Sequence, residues 1–237
     1  MAKTIAIMQP TYLPWVGYLD LMDQAETFVL LDSVQFDRRS WQQRNRIKTA
    51  SGELMLTVPV LSKGLRDQKV CDVRLVPDSG FAARHRDSIR AAYARAPHFK
   101  DHWDALAAVY AAKHEHLVDL NLAFIGLFQR LFGLRCRLVR SSELAARGKK
   151  VDLLVALCRE LGAERYLSPW GSKPYIDENN IFAENGIELA YHSYRHPVYP
   201  QLHGPFLTHM SSVDLLLNEG SERGAELLRS GRFTEAG

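Results

Sequence analysis

The stretch that decides the fold runs from Thr4 to Asp32, TIAIMQPTYLPWVGYLDLMDQAETFVLLD. Thr4 to Gln9 (TIAIMQ) is a short run of β-branched and apolar residues that Pro10 ends, and it reads as a buried strand. A loop containing Gly17 follows, then a helix through Tyr18 to Ala25, then a second wholly apolar run, Thr27 to Leu31 (TFVLL), closing on Asp32. Continuous apolar strands suit a parallel sheet covered on both faces, so strand, loop, helix and strand here make one βαβ unit.

Beyond Asp32, Arg46 to Val60 (RIKT-ASG-ELMLTVPV) reads as two strands joined by a Ser-Gly turn, and Val70 to Val76 as a further strand. From Phe81 to Gly133 the period becomes helical, with Phe81, His85, Ile89 and Tyr93, then Phe99, Trp103, Leu106 and Tyr110, then Leu117, Leu120, Phe124, Phe128 and Leu131. This is an insert of about three helices over residues 81–133. The βα alternation resumes with a strand at Arg137 to Arg140, a helix from Val151 to Leu161 stopped by Gly162, and strands at Arg165 to Leu167 and Ile187 to Tyr191. A last helix starts at Ser211 or Ser212 and carries Val213, Leu216 and Leu217. The expected fold is therefore α/β, with a mainly parallel sheet drawing strands from both ends of the chain. No repeat or low-complexity linker divides it, so residues 1–237 read as a single domain.

The composition agrees. With 237 residues, 46% hydrophobic and 24% charged, the chain is neither disordered nor fibrous, and a chain of this size buries about 70% of its unfolded surface. The longest apolar run, Leu122 to Phe128, falls far short of the roughly 20 residues that cross a bilayer, so no membrane insertion is expected. Met1-Ala2-Lys3-Thr4 has no signal-peptide character, which makes the cytoplasm the expected compartment. Three cysteines, Cys71, Cys136 and Cys158, lack any zinc or disulfide spacing and read as buried thiols. The formal net charge of +3 is too small to imply a nucleic-acid protein.

Four segments carry candidate chemistry. Gln9 to Tyr18 (QPTYLPWVGY) leaves the carboxyl end of the first strand and enters a helix, where open α/β sheets bind ligands and a helix N-terminus offers N–H groups to phosphate. Tyr12, Trp15, Gly17 and Tyr18 are its candidate contacts, with Gly17 admitting a ligand close to the backbone; the alternative is a rigid turn packed by aromatics. Ser33 to Lys48 holds Arg38, Arg39, Arg44, Arg46 and Lys48 with no acid from Arg38 onward. Arginine forks suit phosphates, while Trp41 and Asn45, with Gln42 and Gln43, suit a sugar or base; the alternative is a solvated charged face. Tyr166 to Asp177 (YLSPWGSKPYID) is a strand followed by a loop whose Ser172 and Lys173 present a hydroxyl and an ammonium to phosphate oxygens. It lacks Walker A spacing, and an ordinary polar turn is the other reading. The fourth segment holds His192, His196, Tyr199, Gln201, His203 and His209. Its histidine spacing matches no HExxH site, so no metal is assigned. His196, framed by proline, with Tyr199 and Gln201 to fix its tautomer, is the candidate general base. Asp32, at the end of the second strand, is a candidate catalytic carboxylate, and Asp177 and Asp214 are competitors. His85, His98, His102, His114 and His116 fall in the helical block and read as packing or surface residues.

QPTYLPWVGY, DSVQF, WQQRNRIKT with LTVPV behind it, RYLSPWGSKPYID, and HPVYPQ with SSVDLLLNEG also occur in the order seen in the WbqC-like family of bacterial proteins, which the chain resembles over nearly its whole length. That family is associated with clusters for O-antigen and other surface polysaccharides, so the resemblance implies a role in making surface-glycan sugars. The opening strand, loop and helix are also similar to those of nucleotidylyltransferases of the pantothenate-synthetase type, which implies a Rossmann-like (HUP-like) sheet. Trp15-Val16-Gly17-Tyr18 stands in the place of their HxGH motif, keeping the glycine and lacking both histidines. The resulting expectation is a group transferase that moves an acyl or aminoacyl group to the amine of a nucleotide-linked amino sugar. The alternatives are a nucleotidylyltransferase-like enzyme and a non-catalytic nucleotide- or glycan-binding partner of a glycosyltransferase. A nucleotide or nucleotide-linked substrate is expected, and no motif specifies a cofactor. An aminoacyl-tRNA donor would call for a large basic face that the charge balance does not supply.

Overall fold

The computed structural model describes residues 2–176 and 180–233. Its centre is a five-stranded parallel sheet of β1 (Thr4–Met8), β2 (Thr27–Leu30), β5 (Arg137–Arg140), β6 (Arg165–Pro169) and β7 (Glu188–His192), in the order β5-β2-β1-β6-β7. The register sets Ile5 against Thr27 and Tyr166, and Ala6 against Phe28 and Leu167. Successive side chains of a strand take opposite faces, so β1 feeds two cores. On one face Ala6, Phe28, Leu30 and Leu167 join the larger core, which includes α1 (Val16–Asp23) and three inserted helices, α2 (Phe81–Tyr93), α3 (Phe99–Ala111) and α4 (Leu117–Leu131). On the other face Ile5, Ile7, Val29 and Tyr166 pack with Leu153, Leu157 and Cys158 of α5 (Lys150–Glu160). Ile176 of the short α6 (Lys173–Ile176) and Phe182 of α7 (Ile181–Glu184) complete that face. The architecture is Rossmann-like.

Local chemistry explains the element ends. The N–H of Gly162, at φ +66°, donates to the carbonyl of Arg159, and that of Ala163 to Cys158 (2.8 Å), which is the paired bonding that terminates α5. Ser211 rather than Ser212 caps the last helix, α8 (Ser212–Ser230), its hydroxyl accepting from the Val213 N–H. The helix after the first loop begins at Val16, two residues before Tyr18. The hairpin forms from β3 (Arg44–Thr49) and β4 (Gly52–Thr57), a separate two-stranded sheet with Gly52 at φ +99° after its turn.

One expected strand is absent. Val70 to Val76 forms a 3₁₀ turn at Val70–Asp72 followed by single bridges. Its backbone groups are shared among separate segments: Val70 N–H to Val34, Cys71 N–H to Asp32, Leu75 N–H to Glu115 and Val76 N–H to Pro59. Val70, Val73 and Leu75 are apolar because they are buried while Asp72 and Arg74 face outward, yet no single neighbour runs alongside the segment to form a ladder. No helix of the described residues is long and apolar enough to cross a membrane.

Candidate functional site

In this sheet the connection from β1 goes to β2 on one side, while β6 lies on the other. The topological switch point therefore falls between β1 and β6, and the crevice outside their carboxyl ends is the place where such sheets bind ligands. A cavity of about 500 Å³ lies there, bordered by Met8, Trp15, Tyr18, Pro169, Trp170 and His192. Through Trp170, Ser193 and Phe233 it adjoins a groove of about 550 Å³ whose lining includes Arg165, Lys173 and Arg232. Met8, Trp15 and Tyr18 also border a third cavity, of about 270 Å³, closed by Thr11, Trp41, Asn45, Arg46 and His209.

The loop that builds these walls is tied down from several directions. The Asn45 amide donates to the carbonyls of Tyr12 and Leu13, the Asn121 amide to those of Pro10 and Gln42, and the Gln42 amide to the Gln9 side chain. Tyr12 turns inward, its hydroxyl 2.8 Å from His85 Nδ1 and 2.5 Å from the Tyr110 hydroxyl. It anchors the loop to the helical insert. Trp15 occupies the N-cap position of α1, where no side chain caps the helix. Its indole folds back over Gly17 so closely that a Cβ on Gly17 would lie 2.1 Å from the ring. The space over the Gly17 α-carbon thus belongs to Trp15, and the glycine is needed by that indole rather than by a ligand's approach to the backbone.

A buried ion network stands behind the crevice. Asp20, on α1, has no solvent exposure. One carboxylate oxygen accepts from His192 Nε2 (2.8 Å) and Gln24 (2.6 Å), the other from Arg232 Nε (2.6 Å). Arg232 and Arg229 also hold Asp23, and with them beside it the Asp23 carboxyl lies below its ordinary pKa although partial burial opposes this. Because Asp20 accepts from Nε2–H, it fixes the neutral His192 ring as the Nε2–H tautomer and leaves Nδ1 as the basic nitrogen. The ring stacks on Tyr194 at 5.5 Å. An imidazole backed by a buried carboxylate on a cavity wall is the arrangement that general bases use.

The other sequence candidates fall in several places. Trp41 is half exposed, with the Arg46 guanidinium 5.7 Å from its ring centre; Arg46 pairs with Glu53 and donates to the His209 carbonyl. Arg44 is half-buried with Nε unpartnered, while Arg38 and Arg39 are exposed and line none of these cavities. Lys48 turns inward to the carbonyls of Gly204 and Pro205. Ser172 is buried, and Lys173 lies over the rings of Tyr191 (4.7 Å) and Trp170 (5.8 Å). Asp32 is fully buried, held by Arg140 at 2.7 Å and by Ser141 and Ser142. Asp177 lies outside the described residues.

His196 stacks between Trp15 (6.1 Å) and Tyr199 (6.1 Å). Its Nδ1–H donates to the Pro197 carbonyl and its Nε2 is buried without a partner, and burial pushes its pKa down to about 4. Tyr199 and Gln201 do not fix its tautomer, because both donate to Asp214 (2.9 and 2.8 Å). Tyr93 is the third donor to Asp214, whose burial nevertheless raises its carboxyl pKa. Asp20 was the residue missed. Its signal is an acid inside the apolar helix run Val16-Gly17-Tyr18-Leu19-Asp20-Leu21-Met22, since a carboxylate there must have a partner if buried.

The family model described as the WbqC-like protein family matches residues 9–226, from the start of the first loop into α8. The chain belongs to the WbqC-like family. Among relatives, the uncharacterized protein Rv1507c of Mycobacterium tuberculosis is 34% identical over 222 residues, covering 93% of this chain and 95% of that one. No solved structure matches the chain. The WbqC-like match takes in the Trp15 loop, Asp20 and His192, while Arg232 lies beyond it.

Proposed function

We propose that this WbqC-like protein is an enzyme of surface-glycan sugar biosynthesis that transfers an acyl or aminoacyl group to the amine of a nucleotide-linked amino sugar. The observation that carries the reading is the imidazole of His192, backed by buried Asp20, on the wall of the switch-point crevice. The exposed aromatics Trp170 and Phe233 border the same space and offer faces to a base or sugar ring. Arg165, which pairs with Glu188, Arg232, which pairs with Asp20 and Asp23, and Lys173 border the adjoining groove and make it cationic toward a diphosphate.

The amine nitrogen attacks the acyl carbonyl carbon of the donor. A C–N bond forms, the bond from the acyl carbon to the donor heteroatom breaks, and the leaving group departs with the electron pair. The proton shed by nitrogen passes to Nδ1 of His192, while Asp20 stabilises the imidazolium that results. His192 takes precedence over His196 as base because His196, with its pKa near 4, is a weak proton acceptor.

The test is calorimetric titration with a panel of uridine- and thymidine-diphosphate-linked amino sugars, followed by mass spectrometry of mixtures with acyl thioesters and aminoacyl esters. Binding of a nucleotide-linked amino sugar and its acylation are expected. His192→Gln should bind the sugar normally and turn over on the order of 10² to 10⁴ times more slowly. Pyrophosphate release from a nucleoside triphosphate would replace this reading with a nucleotidylyltransferase. Tight binding without turnover would replace it with a binding protein.

A further inference from the structure

The reaction above needs two substrates, and the loop builds two cavities against one wall. Met8, Trp15 and Tyr18 border both the 500 Å³ crevice and the 270 Å³ cavity. The chemistry on the two sides differs. The crevice opens toward three cationic side chains. The smaller cavity has four large apolar or aromatic walls, Met8, Trp15, Tyr18 and Trp41, and a single cation among the described residues that line it, Arg46, which pairs with Glu53 as Arg165 pairs with Glu188 and Arg232 with Asp20 and Asp23. Asn45 is also committed, its amide nitrogen to the loop carbonyls and its oxygen to the Arg46 N–H. Thr11 and Tyr18 are not: both are at least nine-tenths buried and border the cavity, and neither hydroxyl has a hydrogen-bond partner.

We infer that the smaller cavity seats the transferred group, a short uncharged acyl chain delivered as a thioester. The inference rests on the group-transfer reading and names its donor. A phosphate would meet one cation among the lining residues, Arg46, where the groove beside the crevice has three, and an aminoacyl ammonium would meet no carboxylate there. An acyl chain needs only apolar walls and one donor for its carbonyl oxygen, and Thr11 supplies that donor. Trp15, common to both cavities, brings the acyl carbon and the sugar amine to the same wall.

The experiment uses acetyl, butyryl and octanoyl thioesters of N-acetylcysteamine. Thioester binding is followed by ligand-observed NMR without any sugar, and by KM in the coupled reaction. Butyryl should bind and octanoyl should not; Thr11→Val should weaken the thioester about tenfold, the loss of one hydrogen bond, with the nucleotide-sugar Kd within twofold of wild type. Trp41→Ala, at the rim, should admit octanoyl. Equal thioester affinity in wild type and Thr11→Val overturns the assignment, as does equal weakening of both substrates. If no nucleotide-linked sugar binds, the proposed function falls, and thioester NMR alone still decides the cavity. If the sugar binds and is acylated only from aminoacyl esters, the function stands and the cavity assignment falls.

Discussion

A carboxylate with no solvent exposure must be paired and hydrogen-bonded by its neighbours: Arg232 supplies the opposite charge to Asp20, and His192 and Gln24 donate hydrogen bonds. Asp20→Asn keeps the shape and removes the charge. The variant should lose about 2 kcal/mol of stability and turn over at least tenfold more slowly, with sugar affinity unchanged; urea titration and steady-state kinetics check both, and wild-type turnover would remove the pair from the mechanism. Gly17→Ala places a carbon where the Trp15 ring now lies. The indole must leave, so both cavities lose their shared wall, and affinity for sugar and thioester should fall together in titrations of the same protein. At this scale the sequence was only partly legible. Proline framing drew attention to His196, whereas what distinguishes His192 is a partner 172 residues away, Asp20, and no local pattern reports that distance. Tyr199 and Gln201 were read as the groups that fix the His196 tautomer, and their actual partner, Asp214, became visible only in three dimensions.

Elements were easier to read than their partners. The apolar runs at Thr4, Thr27, Arg137 and Arg165 and the 3.6-residue period from Phe81 to Leu131 became strands and helices within a few residues of expectation. Val70 to Val76 was misread because burial and strand pairing leave the same apolar mark, and only hydrogen-bond partners separate them. Within α8, Gly220 leaves helical geometry at φ +76°, and a Cβ there would meet the His98 ring at 2.9 Å. The break divides α8 into a first part, held to the first loop by the Ser212 N–H to the Pro14 carbonyl and to the insert by the His98 N–H to the Leu217 carbonyl, and a second part, held by the Tyr194 hydroxyl to the Leu228 carbonyl and by Arg229 to Asp23. Gly220→Ala, which would raise propensity in an ordinary helix, should here cost roughly 1 to 3 kcal/mol. A denaturation midpoint at or above wild type would show that the bend is not required.

For the whole molecule, the parallel sheet followed from apolar strands separated by helices, but the strand order, and with it the crevice, depended on contacts between distant segments. Acid should reveal how those contacts bury histidine. Burial pushes His85 and His196 down to about 4 and lowers His102 and His209 as well. A histidine depressed in the fold contributes stability that is complete above its unfolded value of about 6.5 and is lost as pH falls toward its folded one. Asp214, raised by burial, has the opposite sign: its contribution is complete below the ordinary carboxylate value and is lost as pH rises through the folded one. The urea midpoint should therefore fall between pH 7 and pH 5, and less steeply in His196→Gln; a flat profile would contradict the burial of these rings. The aromatic walls bring one more consequence. Of the four tryptophans, Trp15, Trp41 and Trp170 border the cavities, while Trp103 stacks on Phe99 in the insert. The protein thus carries its own optical reporter: excitation at the indole band should register each proposed substrate as it arrives, Trp41 sensing one compartment, Trp170 the other, and Trp15 both.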